Sequence, residues 1–333
     1  MSTTTSWGII GPGKIARKFV AALDLVQGAG AWGVASRDAD RAWSFAGEHH
    51  LLMAYGSYEE LAADGGSNAV YIATPHGFHA EHAILCLKHG KAVLCEKPLA
   101  LSARQVSAMI AASRESGAFL MEAMWTRFIP LMGAVMELVA SGKIGAVKHI
   151  RADFGFLAPF NPEGRLYNMR LGGGSLLDIG IYPLYLCLQL LGRPAAITAA
   201  GHLSPTGSDT TCDAILRYAD GASAVISSTL TCQTSLTAEI AGTEGMIRIP
   251  SPWYKNDRFE WNRTGEPVQT VTLEPMVNGF EYQIREAMRC REKGWRESPM
   301  MPHSFSLMMA ETMDEIRRQI GVRYPTEWEA GSE

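Results

Sequence analysis

The chain has 333 residues, which is enough for two domains of ordinary size. Hydrophobic residues make up 47% of it and charged residues 19%, proportions that are typical of a folded globular protein and exclude intrinsic disorder. The 30 basic and 34 acidic side chains give a net charge of −4, so no basic excess points to nucleic acid or to an anionic membrane surface.

Short apolar runs alternate with segments of helical periodicity in the first 122 residues. The predicted strands cover residues 7–10, 31–35, 69–73, 92–95 and 118–121. The predicted helices cover residues 15–26, 38–50, 58–63, 79–89 and 103–116. Strands that alternate with helices indicate βαβ units and a parallel sheet. We therefore predict a doubly wound α/β domain over residues 1–122.

The pattern changes after Glu122. A predicted helix, a strand and an irregular stretch rich in Gly, Pro, Asn and Arg lie at residues 131–141, 147–156 and 157–174. After a further helical segment come runs suited to an antiparallel sheet, at residues 213–218, 222–229, 235–241, 246–249 and 268–273. Two helices, at about 279–291 and 304–320, complete a predicted α+β domain over residues 123–333.

The spacing of the cysteines indicates whether the chain has a metal site, and the N-terminal sequence indicates where the protein is located. The six cysteines have no spacing typical of a zinc knuckle, a dithiol or a disulfide framework, so we predict no metal site. The N-terminus lacks the basic and apolar regions of a secretory signal. No apolar run approaches the roughly eighteen residues that span a bilayer. We expect a cytoplasmic protein without a membrane or nucleic-acid partner.

A glycine-rich turn follows the first predicted strand. Its sequence is Gly11-Pro12-Gly13-Lys14-Ile15-Ala16. One glycine permits the turn, a second lets a pyrophosphate approach the main chain, and the small Ala16 lets the helix pack on the strand. The helix N-terminus offers N–H groups to the phosphates. A plain turn would also explain Gly-x-Gly, but the strand–helix units that follow favour phosphate binding.

The end of the second predicted strand bears on the choice of dinucleotide. An acidic residue there binds the ribose hydroxyls of NAD, but this chain has Ser36 and Arg37, with Arg41 one helical turn later. A hydroxyl and a guanidinium suit a 2′-phosphate, so we predict NADP(H), with NAD(H) as the second choice. Two alternatives stay open: Arg37 lies in solvent, or Asp38 binds the ribose in a shifted register.

Two more strand ends carry polar residues, where ligands of open parallel sheets bind. The strand at 69–73 is followed by Thr74-Pro75-His76-Gly77-Phe78-His79, and the strand at 92–95 by Glu96-Lys97-Pro98-Leu99. A lone lysine would be a solvated loop residue. The Glu-Lys-Pro set at a strand end of a dinucleotide domain is far more specific.

These motifs resemble those of the Gfo/Idh/MocA oxidoreductase family. Three later segments, at residues 123–128, 161–166 and 172–182, carry the same resemblance. The last segment, Gly-Gly-Gly-x-Leu-Leu-Asp-x-Gly-x-Tyr, is the most diagnostic. The resemblance covers essentially the whole chain and is greatest to the dimeric dihydrodiol dehydrogenases and NADP-dependent D-xylose dehydrogenases. It implies a Rossmann domain and a substrate domain on a large, mostly antiparallel open sheet. The outer face of that sheet would form a homodimer or a higher homo-oligomer.

The resemblance and the motifs also assign residues to the cofactor. The residues expected to bind it are Gly11, Gly13, Lys14, Ile15, Ala16, Ser36, Arg37, Arg41, Thr74, Pro75, His79, Glu96, Lys97, Trp125 and Arg127.

The expected chemistry is hydride transfer between the nicotinamide and a secondary alcohol or carbonyl. Tyr182 is the predicted acid/base, and the ammonium of Lys97 would lower the pKa of its phenol from about 10. Asp178, four residues earlier, would share a helix face with Tyr182 and orient a substrate hydroxyl. Pro183 cannot donate to the carbonyl of Ile179, so an irregular turn is expected there. Tyr182 could instead be a core tyrosine and Asp178 a helix cap.

The substrate is expected to be a small sugar, a cyclic polyol or a trans-dihydrodiol. Candidate contacts are His76, Phe156, Arg165 and Tyr167, although Arg165 and Tyr167 could equally be solvated loop residues. Two other functions stay open: a dinucleotide-sensing regulatory protein on the same scaffold, and a reductase of nucleotide-linked keto-sugars. Glu96-Lys97-Pro98 together with Tyr182 argues against the sensor, which needs no proton donor.

Overall fold

A computed structural model describes residues 4–325 of the chain. The described residues form two compact units. The first contains the residues up to Trp125 together with Val277–Leu307, and the second contains Thr126–Met276 together with the residues from Met308 onward. The predicted boundary between residues 122 and 123 lies three residues before the first junction. The sequence did not predict the return of Val277–Leu307 to the first unit.

The first unit contains a parallel sheet. Its strands among the described residues are β1 (Thr5–Ile10), β2 (Ala29–Ala35), β3 (Met53–Tyr55), β4 (Ala69–Ile72), β5 (Ala92–Glu96) and β6 (Leu120–Ala123). The spatial order is β3-β2-β1-β4-β5-β6, that of a Rossmann fold, which confirms the predicted fold class. Strand β3 was not predicted, because three residues show no periodicity.

Helices connect these strands. They are α1 (Lys14–Leu23), α2 (Ala39–Glu48), α3 (Tyr58–Ala63), α4 (His79–Lys88) and α5 (Ala103–Ser116). Every residue of β4 and β5 is buried, as expected of strands covered on both faces. The ring of Phe19 on α1 stacks on Tyr71 of β4 with the centroids 3.7 Å apart. This packing fixes the first helix, which follows the glycine turn, against the centre of the sheet.

The second unit contains an open, mostly antiparallel sheet. Helix α6 (Pro130–Ala140) precedes β7 (Val147–Gly155), and α7 (Ile181–Leu191) follows it. The remaining strands of the described chain are β8 (Ala196–Leu203), β9 (Asp209–Arg217), β10 (Ser223–Thr229), β11 (Ala238–Gly242), β12 (Gly245–Ile249), β13 (Arg258–Arg263) and β14 (Gln269–Thr272). The order is β14-β13-β12-β11-β7-β10-β9-β8, with β7 and β10 parallel. The predicted second fold class is thereby confirmed.

One face of this sheet is buried and the other is open. Alternate residues of β9 and β10, among them Ala214, Leu216 and Ile226, are fully buried, while their neighbours are exposed or half-buried. Helix α7 packs on β7 and β10. Strands β8 and β13 were not predicted, the first because its small residues show no alternation. Helices α8 (Glu281–Glu292) and α9 (His303–Ile320) complete the described chain, and the division between the units falls within α9.

One segment of the described chain is long and apolar enough to cross a membrane. It covers Met169–Leu191, and 83% of its most apolar window is buried inside the protein. The sequence predicted no membrane-spanning stretch, because Gly180, Pro183 and Gln189 interrupt its longest apolar run, at residues 179–191. Its burial is that of a core helix.

Candidate functional site

The glycine turn of the first unit has the features that a pyrophosphate requires. Gly11 has φ +96°, and a Cβ there would lie 3.0 Å from the carbonyl oxygen of Ala73 and from a Thr74 methyl. Gly13 is the N-cap of α1, and within the described chain no side chain caps this helix. Its first turn also contains no acidic residue. In contrast, Asp38, Ser57 and Ser102 cap α2, α3 and α5. The uncapped N–H groups and the dipole of α1 therefore fit a dinucleotide pyrophosphate.

The end of β2 presents a guanidinium and uses its carboxylate elsewhere. The carboxylate of Asp38 accepts a hydrogen bond from the N–H of Arg41 at 3.2 Å and so caps α2. Ser36 is buried, and its hydroxyl accepts the N–H of Asp38. Arg37 is exposed, with its guanidinium carbon 5.4 Å from the centroid of Phe78. The end of β2 thus presents an exposed cation, beside a carboxylate that has one oxygen engaged in capping α2.

The segment after β4 is a compact turn. Thr74 is buried, and its hydroxyl lies 3.0 Å from Nδ1 of His82. The imidazole of His79 is fully buried, with its two nitrogens each 2.8 Å from a carbonyl oxygen, those of Thr74 and Pro98. His79 therefore ties the loop after β4 to the loop after β5. His76 is half-buried, and its ring centroid lies 5.6 Å from that of His79.

Lys97 stands where β5 ends, beside two buried carboxyl groups. Glu96 accepts a hydrogen bond from the hydroxyl of Tyr71, and its other oxygen accepts the N–H of Lys97 at 3.3 Å. Burial raises the pKa of Glu96, and the charge of Lys97 opposes that shift. Glu122, on β6, accepts the N–H of Leu99 at 2.9 Å. Sequence reasoning missed Glu122, although an acid in an otherwise apolar strand was a usable signal.

Trp125 and Arg127, predicted as a pair, belong to different units. The indole of Trp125 lies 5.6 Å from the ring of Phe280, and the ammonium of Lys18 is within 4.5 Å of both ring centroids. Arg127 lies in the second unit beside the hydroxyl of Tyr185. Burial raises the pKa of Tyr185, and Arg127 opposes that shift.

The second unit brings Asp178 and Tyr182 together at the start of one helix. Leu176–Gly180 form a π-helical turn that leads into α7, which is the irregularity expected beside Pro183. Asp178 and Tyr182 are both buried, each residue being 7% exposed. Two residues before this turn, Gly174 has φ +137°, and a Cβ there would lie 2.2 Å from Oδ1 of Asp209. Asp209 is fully buried and was missed by sequence reasoning.

Arg165 joins this cluster. Its Nη1 donates to Oδ1 of Asp178 at 2.7 Å, while its own side chain remains 58% exposed. Although burial lowers the pKa of Arg165, the Asp178 carboxylate and the Tyr182 phenol raise it above the usual range. The sequence predicted Arg165 only as a substrate contact or a solvated loop residue, and the structure pairs it with Asp178.

Aromatic rings surround Tyr182. The centroids of Phe154 and Tyr254 each lie 5.4 Å from that of Tyr182, and these two rings stack 4.3 Å apart. Neither ring was predicted for the site. The side chains in this part of the second unit thus combine a phenol, a carboxylate and a guanidinium with apolar faces, which is the character of a site for a partly apolar hydroxylated molecule.

Two other candidate residues lie outside this cluster. Tyr167 is buried, and its hydroxyl donates to the carbonyl of Ala158 at 3.0 Å, so it packs the irregular stretch. Phe156 is half-buried just after β7. Among residues 4–325, no group of three or more His, Cys, Asp or Glu side chains could hold a metal ion.

The two units match known protein families. Residues 5–124 match the oxidoreductase family with an NAD-binding Rossmann fold, and residues 132–248 match the GFO/IDH/MocA C-terminal domain. The Rossmann sheet has a phosphate-binding turn, and the chain continues into a GFO/IDH/MocA C-terminal domain. This combination defines a dinucleotide-dependent oxidoreductase. The chain belongs to the Gfo/Idh/MocA oxidoreductase family.

Relatives extend along nearly the whole chain. The trans-1,2-dihydrobenzene-1,2-diol dehydrogenase of Xenopus tropicalis is 39% identical over 96% of this chain and 99% of its own. The 3-ketoreductase KijD10 of Actinomadura kijaniata, solved with NADP and TDP-benzene, is 26% identical, with a TM-score of 0.85 over 96% of this chain and 98% of its own. The aldose-aldose oxidoreductase of Caulobacter crescentus shares the fold, with a TM-score of 0.87 at 24% identity over 95% and 97% of the two chains.

Proposed function

We propose that the protein is an NADP(H)-dependent dehydrogenase or reductase of a sugar, a cyclic polyol or a trans-dihydrodiol. Residues 1–122 would carry the dinucleotide and residues 123–333 the substrate. The observation that carries the proposal is the cluster of Tyr182, Asp178 and Arg165, bordered by aromatic rings, at the start of α7. The dihydrodiol dehydrogenase relatives support the substrate class.

The proposed chemistry assigns one task to each residue. A bound nicotinamide accepts or supplies the hydride. The phenol of Tyr182 takes the proton of the substrate hydroxyl in oxidation and returns it in reduction. The ammonium of Lys97 favours the phenolate by its charge and lowers the pKa of that phenol. Asp178, which Arg165 holds in place, orients a second hydroxyl of the substrate.

The preference for NADP(H) rests on the end of β2. Ser36 and Arg37 would hold the 2′-phosphate, and Arg41 lies one turn further along α2. The Asp38 carboxylate, which could bind a ribose hydroxyl instead, is engaged as the cap of α2. The NADP bound to KijD10 supports the same choice of dinucleotide. NAD(H) is the second choice.

Two substitutions test the catalytic roles. We expect Lys97→Ala and Tyr182→Phe each to lower kcat by about 100-fold or more, because a general acid/base contributes factors of this size, while NADPH affinity changes less. The measurement is absorbance at 340 nm with NADP⁺ and NAD⁺ and a panel of aldoses, inositols and dihydrodiols. Lys88→Ala and Tyr282→Phe, which alter residues outside the proposed site, serve as controls. Turnover by either test variant at the wild-type rate would refute that residue's assignment.

A second candidate function is the reduction of a nucleotide-linked keto-sugar. The TDP-benzene bound to the 3-ketoreductase KijD10 favours it. Adding such a keto-sugar with NADPH to the same panel separates the two substrates, since the preferred one has the higher kcat/KM. NADPH binding without turnover of any substrate would instead support a dinucleotide sensor.

We also propose that the chain forms a homodimer or a higher homo-oligomer through the open face of the second unit's sheet. The exposed and half-buried residues that alternate along β9 and β10 form part of that face. Sedimentation of the wild type and of Ile215→Glu, which places a charge at an exposed isoleucine of β9, tests the interface. A monomeric wild type contradicts it.

A further inference from the structure

Three buried side chains hold the backbone of the segment Lys97–Leu99. The lysine N–H donates to Glu96 at 3.3 Å, the proline carbonyl lies 2.8 Å from the imidazole of His79, and the leucine N–H donates to Glu122 at 2.9 Å. The three residues come from β5, α4 and β6. The direction in which the Lys97 side chain leaves the loop therefore depends on contacts from three elements.

Glu122 is the member of this set for which neither the motifs nor the proposed chemistry has a role. It is 2% exposed and pairs in register with Cys95 of β5. Ionisable groups around it are Glu96, Lys97 and Cys95 on the β5 side, and His303 of α9, whose Nε2 bonds the carbonyl of Leu120. Burying a carboxyl group in a parallel strand is unfavourable unless its contacts compensate, so a specific use is expected.

We propose that Glu122 is a positioning residue that fixes the Lys97 loop through the Leu99 N–H and stabilises the Lys97 ammonium by its charge. This inference rests on the proposed function, because it takes Lys97 to be the cation that assists Tyr182. Glu122, on β6, would thus act on catalysis through Lys97, without contacting the substrate.

The two actions of Glu122 depend differently on pH. Burial raises the pKa of Glu122 to about 7, and hydrogen bonds from the Ser306 side chain and the Leu99 N–H limit that rise, followed by the charge of Lys97. The hydrogen bond from Leu99 needs only a carboxyl oxygen, so it persists in both protonation states. The electrostatic effect on Lys97 requires the carboxylate and therefore develops as the pH rises through about 7.

Two substitutions separate these actions. Glu122→Gln keeps an oxygen for the Leu99 N–H but can never ionise, whereas Glu122→Ala removes both. We expect Glu122→Ala to lower kcat by about 10- to 100-fold at every pH, because small misplacements of a reacting group have effects of this size. We expect the kcat of Glu122→Gln to stay within about fivefold of wild type at pH 6. Above neutral pH, its activity should begin to fall at a lower pH than that of wild type, because Lys97 loses its proton more readily without the Glu122 carboxylate.

A second measurement does not require turnover. The rate at which acetic anhydride acetylates Lys97 reports the fraction of neutral amine, and peptide mass spectrometry identifies the site. At pH 8 we expect Lys97 to be acetylated at least about twofold faster in Glu122→Gln than in wild type, and at pH 6 the difference should shrink because wild-type Glu122 is then mostly protonated. Glu281→Gln is the matched control, because Glu281 is also buried and also accepts a backbone N–H, that of Gly279.

Each result decides one proposal. If wild type turns over no substrate, the proposed function fails, and the acetylation rates still test Glu122. Equal rates of Lys97 acetylation in wild type and Glu122→Gln at both pH 6 and pH 8 overturn the electrostatic role. Activity of Glu122→Ala within twofold of wild type overturns the positioning role, as does an equal loss in both variants at pH 6. If Glu122→Ala does not fold, recovery of wild-type kcat at pH 6 in Glu122→Gln supports positioning, and its absence overturns it.

Discussion

At the scale of single residues, neighbouring side chains of one loop have separate tasks. At the end of β2, Asp38 caps a helix and Arg37 remains exposed. The sequence shows both charged side chains but not which of them is engaged in a structural hydrogen bond. The cap favours Arg37 as the proposed cofactor contact, because one oxygen of the Asp38 carboxylate already accepts a backbone N–H.

The choice of dinucleotide is tested at Arg37. We expect Arg37→Ala to weaken NADPH binding by about 10- to 100-fold, the effect of one charged hydrogen bond, and NADH binding by less than about threefold. Fluorescence titration of both reduced dinucleotides measures this. Arg104→Ala, an exposed arginine of α5, is the control. Equal weakening of both dinucleotides would place the 2′-phosphate away from Arg37.

Glu122 also predicts a pH dependence of stability. Because its folded-state pKa is about 7 and its ordinary value is 4.5, the folded state keeps a proton that the unfolded chain releases. Its contribution is therefore complete below pH 4.5 and is lost as the pH rises to about 7. Between pH 5 and 7.5, wild type should lose about 2 kcal/mol of unfolding free energy relative to Glu122→Gln. Urea unfolding at both pH values measures the difference, and a constant difference would contradict the shift.

At the scale of elements, the helical segment from Leu176 to Leu191 shows how a site is fixed at its first turn. Asp209 accepts the hydroxyl of Ser175 and the N–H of Leu176, each at 2.7 Å, and the hydroxyl of Tyr324 donates to the carbonyl of Gly173. Asp209 belongs to β9, and Tyr324 lies 151 residues after Gly173 in the sequence. They hold the start of the segment that carries Asp178 and Tyr182.

Gly174 is the weak point of this arrangement. We expect Gly174→Ala to lower the free energy of unfolding by about 3 kcal/mol or more, because its φ disfavours a side chain and its Cβ would meet Asp209. Gly117→Ala, at the C-terminal end of α5, is the control, because Gly117 has φ +72° in the left-handed region but no atom lies within 4 Å of an added Cβ, and it should lose only about 1 kcal/mol. Urea unfolding compares them, and equal losses would show that the Asp209 contact is unimportant.

Elements with a strong local pattern were predicted and those without one were not. Strands β4 and β5 are continuous apolar runs, and α5 begins at a serine cap and ends at Gly117. Strand β8 is made of small residues at a sheet edge, and its strand conformation depends on pairing with β9. Pairing across the sheet, which the local sequence does not contain, decides such segments.

At the scale of the whole molecule, the first unit is discontinuous in sequence. The N–H of Leu120 donates to the carbonyl of Arg296, and the imidazole of His303 bonds the Leu120 carbonyl. Because β6 is the edge strand, Val277–Leu307 satisfies backbone groups that the sheet leaves unpaired. The candidate site was likewise predictable only where the signal is local. The strand-end motifs could be predicted from the Rossmann topology, whereas Glu122, Asp209 and Phe154 act through contacts distant in sequence.

A fragment tests this discontinuity. We expect residues 1–125 alone to unfold without a cooperative transition, because they lack Phe280 and the α8 side chains Ile284 and Ala287, which the unit buries. Joining residues 125 and 277 by a short glycine linker should restore cooperative unfolding, since the rings of Trp125 and Phe280 are only 5.6 Å apart. Thermal unfolding followed by circular dichroism compares the two. A cooperative transition in the short fragment would show that the later segment is dispensable.

The return of Val277–Leu307 also sets an order of events during translation. The ribosome must add 182 residues after position 125 before this unit can be completed, which takes roughly 10–40 s at ordinary elongation rates. Throughout that interval the edge of β6 in the nascent chain is not covered by Val277–Leu307. We expect nascent chains paused before codon 307 to recruit chaperones more strongly than chains released after it.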